Sequence, residues 1–281
     1  MTVPGPRAAD SRPIGLLRGL VGSCHPLPTL AVTVIAVLLA AGVGLEPIRV
    51  VLVGAAVLTG QLSIGWSNDR LDAARDTSSG RADKPAATGA VPLPVLTWAA
   101  GIALAATVVL SLTLGWRAGV AALVLVAAGW AYNLGLKATV LSGLAYLLGF
   151  GALPAVAYLA LPGHPLPPWS APATAALLGL GVHFANVLPD LRDDAVTGVR
   201  GLPHRLGARA GVVVMALVLA AASLVAATHR ASAFGWVLAG VATLAALGCA
   251  GLGVRRPDSR VAFYGSLAVA LLDVVLFVLP V

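Results

Sequence analysis

Residues 50–85 read VVLVGAAVLTGQLSIGWSNDRLDAARDTSSGRADKP. Seventeen residues with almost no polarity run straight into four acids, three arginines and a lysine. An apolar run of about 20 residues is the length that crosses a bilayer as a helix. The polar sequel keeps the helical period: Asn68, Asp72 and Asp76 stand four residues apart. Positions i, i+4 and i+8 drift only about 40° per step around an α-helix, so they form one stripe. The expected element is therefore a spanning helix with an oxygen-rich stripe at its end.

The rest of the chain fits a membrane protein. Of 281 residues, 59% are hydrophobic and only 10% are charged, and the mean hydropathy is +0.94. Soluble domains carry about 25% charged residues. Apolar segments lie at about 27–45, 50–67, 93–115, 117–134, 141–161, 171–189, 209–228, 233–253 and 261–280. They predict an all-α polytopic protein with nine transmembrane helices, preceded by a short interfacial helix over 13–24. Thirty-two glycines suit close helix packing, and nineteen prolines are tolerable in spanning helices and loop ends. Cys24 and Cys249 form no CxxC pattern, so neither a disulfide framework nor a zinc site is indicated.

Orientation follows from the basic residues of the short loops. With the N-terminus in the cytoplasm, 15 of the 18 Lys and Arg residues fall inside. Only Arg49, Arg117 and Arg230 fall outside. The high isoelectric point is then a consequence of topology, and nucleic-acid binding is excluded as its cause. The expected place is the cytoplasmic membrane, N-terminus inside and C-terminus outside.

The opening pattern recurs. Asn186, Asp190 and Asp194 repeat Asn68, Asp72 and Asp76 at an offset of 118 residues. At the same offset Gly80 matches Gly198, Pro85 matches Pro203 and Gly89 matches Gly207. The chain reads as one domain over 1–281, with parallel halves at about 27–134 and 141–253 and a ninth helix at 261–280. Both stripes would emerge on the cytoplasmic face.

Two carboxylates and an amide per stripe are hard oxygen donors. They suit Mg²⁺, which often bridges carboxylates to substrate phosphates. Acids alone repel a phosphorylated ligand, but Arg81, Lys84, Arg200 and Arg205 follow the stripes and Lys137 lies in the loop between. Metal and cations together would hold a diphosphate as a leaving group. The same cations also satisfy the positive-inside bias. Trp66, Phe184, Trp130, Tyr132, Tyr146 and Phe150 are candidate walls of an adjoining apolar cavity. A lipid diphosphate matches this layout, and aromatic faces stabilise a carbocation.

These stretches carry a resemblance. The segments 68-NDRLDAARD-76, 80-GRADKP-85, 132-YNLGLK-137 and 186-NVLPDLRDD-194, the last followed by GVRGLPHRLG, are similar to motifs of the UbiA superfamily of intramembrane prenyltransferases. The resemblance covers nearly the whole chain. It implies Mg²⁺-dependent transfer of an isoprenoid chain from its diphosphate to a lipophilic acceptor. By that resemblance Asn68, Asp72 and Asp76 hold one Mg²⁺, while Asp190 and Asp194 hold another, with Asn186 matching Asn68. Arg81, Lys84, Tyr132 and Lys137 would contact or orient the diphosphate, with Arg200 and Arg205 as further candidates. Two positions depart: Gly201 stands where many members have Ser or Thr, and Val187 stands where the first motif has Asp69.

A UbiA-type terpene cyclase is the first alternative, and a transporter of a cation or phosphorylated lipid the second. Paired repeats and buried acids occur in transporters too, although these acids sit at one face and not at the midplane. His25 and His183 are read as packed histidines, not as bases. Asp193 is read as solvated. Asp273, inside the last apolar run, is expected to pair helices.

Overall fold

The computed structural model describes residues 13–196, 198–229, 231–255 and 261–278. Arg7, Arg12, Arg230, Arg256 and Arg260 of the charge pattern lie outside the described residues, as do the side chains of Arg192 and Asp193. The helices are α1 (Pro13–Ser23), α2 (Pro26–Gly42), α3 (Pro47–Ser78), α4 (Leu93–Thr113), α5 (Trp116–Asn133), α6 (Ser142–Leu159), α7 (Ser170–Val187), α8 (Leu191–Val196), α9 (Leu202–Leu206), α10 (Ala208–Ala227), α11 (Ala233–Arg255) and α12 (Val261–Val278). Among the described residues there is no strand.

Every apolar segment expected from the sequence falls on a helix. Six of the described helices are long and apolar enough to cross a membrane, or seven if the bent pair α1–α2 is one span. That supports a multi-pass membrane protein without fixing the number of spans at nine. The physical reason is local: α5 carries Arg117 and Asn133 near its ends, α2 has 17 residues, and the apolar part of α12 covers only Tyr264–Val275.

Proline starts α2 and α3, where its missing N–H falls on a position without an intrahelical acceptor. Consecutive long helices pack side by side from α2 to α7, then through α10 and α11 to α12, and α12 returns to α2. The result is a closed ring of helices. One buried cluster joins α2, α3, α5 and α6, and a second joins α7, α10, α11 and α12. Small residues permit the close contacts. A Cβ at Gly179 of α7, for example, would lie 2.7 Å from the Tyr146 carbonyl of α6. Asp273 of α12 is fully buried and accepts a hydrogen bond from Ser223 Oγ of α10 at 3.0 Å, the helix pairing expected of it.

The turns that follow the two motifs match at the offset of 118 residues. Arg81 N donates to Asp76 O at 3.0 Å, and 118 residues later Val199 N donates to Asp194 O at 2.9 Å. Gly80 (φ 67°) and Gly198 (φ 85°) both turn in the left-handed region. A side chain is strained there, so the two matched glycines have one physical reason.

Candidate functional site

α3 runs for 32 residues, so the first stripe forms the last turns of the same helix that carries the apolar run. Asp72 and Asp76 are buried, at 8% and 5% exposure, so they are not solvated loop acids. Lys137 Nζ lies 2.5 and 2.6 Å from the two Asp72 oxygens. Arg75 Nη2 lies 2.9 Å from Asp72 Oδ2, and Arg75 Nε lies 3.8 Å from Asp76 Oδ1. Asn68 Nδ2 donates to Asp72 Oδ2 and to Asn133 Oδ1, each at 3.1 Å. Asn133 is fixed in turn by donating to Ile64 O and Ser67 Oγ. Burial pulls the Lys137 ammonium below the usual lysine range, against the opposing pull of Asp72.

The loop after α3 supplies more cations. Arg81 makes a fork to both oxygens of Asp83 at 2.9 Å. That fork holds the Asp83 carboxyl down to about 2 and raises the Arg81 guanidinium further. Arg81 Nη1 also lies 4.0 Å from Asp190 Oδ1, which joins the two repeats. Lys84 Nζ donates to Asp69 Oδ1 at 2.8 Å, and His25 Nε2 stands 3.3 Å from the same oxygen.

The second stripe differs from expectation. It does not lie on one continuous α-helix. α7 stops at Val187, a 3-10 turn covers Leu188–Asp190, and α8 begins at Leu191. Pro189 is the cause, because it lacks the N–H of an i to i−4 bond and its ring crowds the preceding turn. Asn186 and Asp190 nonetheless line the same cavity. His204 Nε2 lies 3.4 Å from Asp194 Oδ2. Arg200 and Arg205 are exposed, and Arg205 Nε donates to the Arg200 carbonyl. Neither arginine is among the described lining of the charged cavity. Gly201 has a packing reason: a Cβ there would lie 2.5 Å from Lys137 O and 2.8 Å from Ser142 Oγ. Ser142 Oγ accepts from Leu202 N at 2.9 Å and pairs with His183 Nε2 at 3.0 Å.

Both stripes line one cavity of about 420 Å³, with Asn68, Asp72, Asp76, Asn186, Asp190 and Asp194 in its wall. Arg75, Arg81, Lys84, Lys137 and Tyr132 line it too. An apolar cavity of about 220 Å³ adjoins it, and His25, Pro28, Asn68, Tyr132 and Asn186 line both. Tyr132, Tyr146 and Phe150 are walls of the apolar cavity, as expected. Trp66, Trp130 and Phe184 are not. Trp66 Nε1 donates to Leu20 O, Trp130 Nε1 donates to Ser63 Oγ, and Phe184 is fully buried between helices. His183 is a packed histidine, edge-on to Tyr132 and against Tyr146. Among the described residues no group of three or more His, Cys, Asp or Glu side chains is clustered closely enough to hold a metal ion. Asp72 is occupied by Lys137 and Arg75 instead.

Sequence reasoning passed over Arg75, Asn133 and His204. Arg75 carried a signal, since an arginine three residues beyond Asp72 shares its helix face. Asn133 and His204 carried none beyond adjacency to Tyr132 and Arg205.

The family model described as the UbiA prenyltransferase family matches residues 29–269. No protein of curated function matches the sequence. Among solved structures, the apo form of a UbiA homologue from Aeropyrum pernix K1 superposes with a TM-score of 0.73 at 19% identity, covering 89% of this chain and 95% of that one. A UbiA homologue from Archaeoglobus fulgidus bound to GPP and Mg²⁺ gives 0.72 at 15% identity, covering 92% and 98%. The same homologue bound to DMAPP and Mg²⁺ gives 0.71 at 15% identity, covering 92% and 97%. At these identities the likeness is one of fold.

Proposed function

The chain belongs to the UbiA prenyltransferase family, and from that premise we propose that it transfers an isoprenoid chain from an allylic diphosphate to a small lipophilic acceptor, aromatic or otherwise. The observation that carries this reading is the junction of the two cavities. A charged chamber and an apolar one share His25, Pro28, Asn68, Tyr132 and Asn186. An amphiphile with an anionic head and a hydrocarbon chain fits across that boundary, its scissile C–O bond at the junction.

The donor chemistry suits Mg²⁺, although Asp72 is paired with Lys137 and Arg75 and the acids would have to draw together around an ion. Five carboxylates, Asp83 held by Arg81 among them, and two amides line the charged chamber, all hard oxygen donors. Asn68, Asp72 and Asp76 would hold one ion, and Asn186, Asp190 and Asp194 another. Bound there, Mg²⁺ supplies charge neutralisation to the departing diphosphate. Arg81 and Lys84, held by Asp83 and Asp69, point cationic groups at the same chamber, and Lys137 and Tyr132 close its inner side. Lys137 leaves Asp72 for the diphosphate when the ligand arrives. The apolar wall then excludes water, and Tyr132 and Tyr146, edge to face at 5.3 Å, offer π-faces to the allylic cation. Arg200 and Arg205 stand outside the chamber lining, so the diphosphate contacts fall to Arg81, Lys84, Tyr132 and Lys137.

We place the chamber at the cytoplasmic face of the cytoplasmic membrane, N-terminus inside and C-terminus outside, because the basic loops lie on that side. The same aromatic lining supports a second reading, a terpene cyclase in which the cation is trapped within its own chain. Purified protein with allylic diphosphates, with and without acceptors, separates the two by product. Asp72→Ala and Asp190→Ala should each lower diphosphate release by about 10²-fold or more. Release that survives either change would remove that residue from the site.

A further inference from the structure

His25 is the residue that the sequence reading set aside and the structure brings forward. It sits between α1 and α2, where the chain bends by 63°. Its backbone is left-handed, with φ 53° and ψ 68°, which is uncommon for a residue with a side chain. Two contacts hold it there. Thr29 Oγ1 donates to Cys24 O at 2.7 Å, and Thr29 N donates to His25 O at 3.1 Å. Gly65 of α3 makes room for the bend, since a Cβ there would lie 2.5 Å from Cys24 O. One helical turn further along the same face stands Asp69, only 1% exposed. Gly65 thus seats the backbone against α3, and Asp69 meets the ring.

The pairing leaves one nitrogen free. Asp69 Oδ1 lies 3.3 Å from His25 Nε2 and takes the Lys84 ammonium at 2.8 Å. Lys84 Nζ itself is 3.3 Å from Nε2. Asp69 Oδ2 is buried without a hydrogen-bond partner, so the carboxylate retains capacity to stabilise a charged ring. Because Lys84 already donates to Asp69 Oδ1, we assign the Nε2 proton to the Asp69 carboxylate, which puts the lone pair of the ring on Nδ1. Asp69 of α3 and Lys84 of the following loop touch the ring and Cys24 precedes it; the chamber it lines also presents Asp72, Arg75 and Asp76 of α3, Arg81 and Asp83 of the loop, Tyr132 of α5, Lys137, Asp190, Asp194, His204, and Tyr264 of α12. α7 presents Asn186.

We propose that His25 is the proton acceptor of the transfer reaction and that Asp69 is its positioning residue. The inference rests on the prenyl-transfer reading. It follows from place: His25 lines both cavities, at the boundary where the head of an allylic diphosphate gives way to its chain. The C1–O bond breaks there, and its electron pair leaves with the diphosphate. The acceptor supplies the electron pair of the new bond to C1. The adduct then carries one surplus proton, which passes to His25 Nδ1 while the electrons of the broken bond to hydrogen return to the product. Asp69 stabilises the imidazolium until water in the charged chamber takes the proton.

The test uses the full-length chain in nanodiscs with geranyl diphosphate, Mg²⁺ and 1-naphthol, across a range of pH. Total diphosphate release reports ionisation. C-prenylated naphthol and acyclic triene both require a proton to be taken from carbon, whereas geraniol arises by capture of water and a naphthyl ether loses its proton from oxygen. His25→Asn keeps a residue that tolerates the left-handed backbone, and His25→Gln is the second variant. The expected result in both is a fall of about tenfold or more in deprotonated product per diphosphate released. The acidic limb of the wild-type pH profile for that ratio disappears with it. Asp69→Asn gives a smaller fall and moves the limb. A ratio unchanged in both His25 variants overturns the proposal. So does a wild-type chain that makes only geraniol, or a variant whose release and deprotonation fall together. A wild-type chain that releases no diphosphate refutes the prenyl-transfer reading itself.

Discussion

Replacing Lys137 by Met tests how the site is held before any ligand arrives. The Lys137 ammonium grips both oxygens of Asp72 at 2.5 and 2.6 Å, and both side chains are about nine-tenths buried. Removing one partner of a buried ion pair typically costs about 3–5 kcal/mol. Here Arg75 at 2.9 Å and Asn68 at 3.1 Å stay with Asp72, so the orphaned carboxylate keeps two partners. The expected loss is correspondingly smaller, about 1–3 kcal/mol. At about 2–4 °C per kcal/mol for a large domain, that is a fall in midpoint of several degrees. Mg²⁺ changes the comparison. Held at Asp72 as proposed, it would have to displace Lys137 in the wild-type chain, whereas in Lys137→Met it would meet a carboxylate without that ammonium. An ion at 100 times its Kd stabilises by about 2.7 kcal/mol. The gap between the two proteins should therefore be several degrees without Mg²⁺ and should narrow as Mg²⁺ is added. Differential scanning fluorimetry in detergent reads both. A gap that stays constant with Mg²⁺ would show that Lys137 and the ion do not share Asp72. A midpoint unaltered without Mg²⁺ would show that the ion pair contributes nothing.

Three further outcomes follow from the same contacts. Gly65→Val should destabilise the chain by about 1–3 kcal/mol through overpacking against the Cys24 backbone, and a variant as stable as wild type in thermal unfolding would show that the α1–α2 bend stands clear of α3. Ser223→Ala leaves Asp273 buried without its hydrogen bond, an expected loss of about 1–3 kcal/mol that Asp273→Leu in the same chain should relieve; strictly additive losses in that double-mutant cycle would refute the coupling. Asp83, depressed from 3.8 to about 2 by Arg81, contributes stability above its ordinary value that is lost as pH falls through about 2; carbon-13 NMR of the labelled carboxyl should find that low midpoint, and an ordinary one would mean that the Arg81 fork is open.

Much of the molecule was legible in the sequence. Composition and apolar run length identify a multi-pass helical membrane protein, because a bilayer admits few other arrangements of the backbone. The four-residue spacing placed Asn68, Asp72 and Asp76 on one stripe, and the offset of 118 residues identified its counterpart. Both are local properties, carried by the chain's own periodicity. Tertiary structure decided what the periodicity could not express. Pro189 converts the last turn before Asp190 from α-helix to a 3-10 turn, which the four-residue spacing does not show. Lys137 reaches Asp72 across 65 residues and fills the place between the oxygens that the spacing alone leaves open. Trp66, Trp130 and Phe184 turn to hydrogen bonds or the core, while Tyr132, Tyr146 and Phe150 face the cavity. His25 stands beside Asp69 because Gly65 lets two backbones touch. Which side chains meet depends on how helices close into a ring, and that closure depends on volume and contact between segments far apart in sequence, which no local period records.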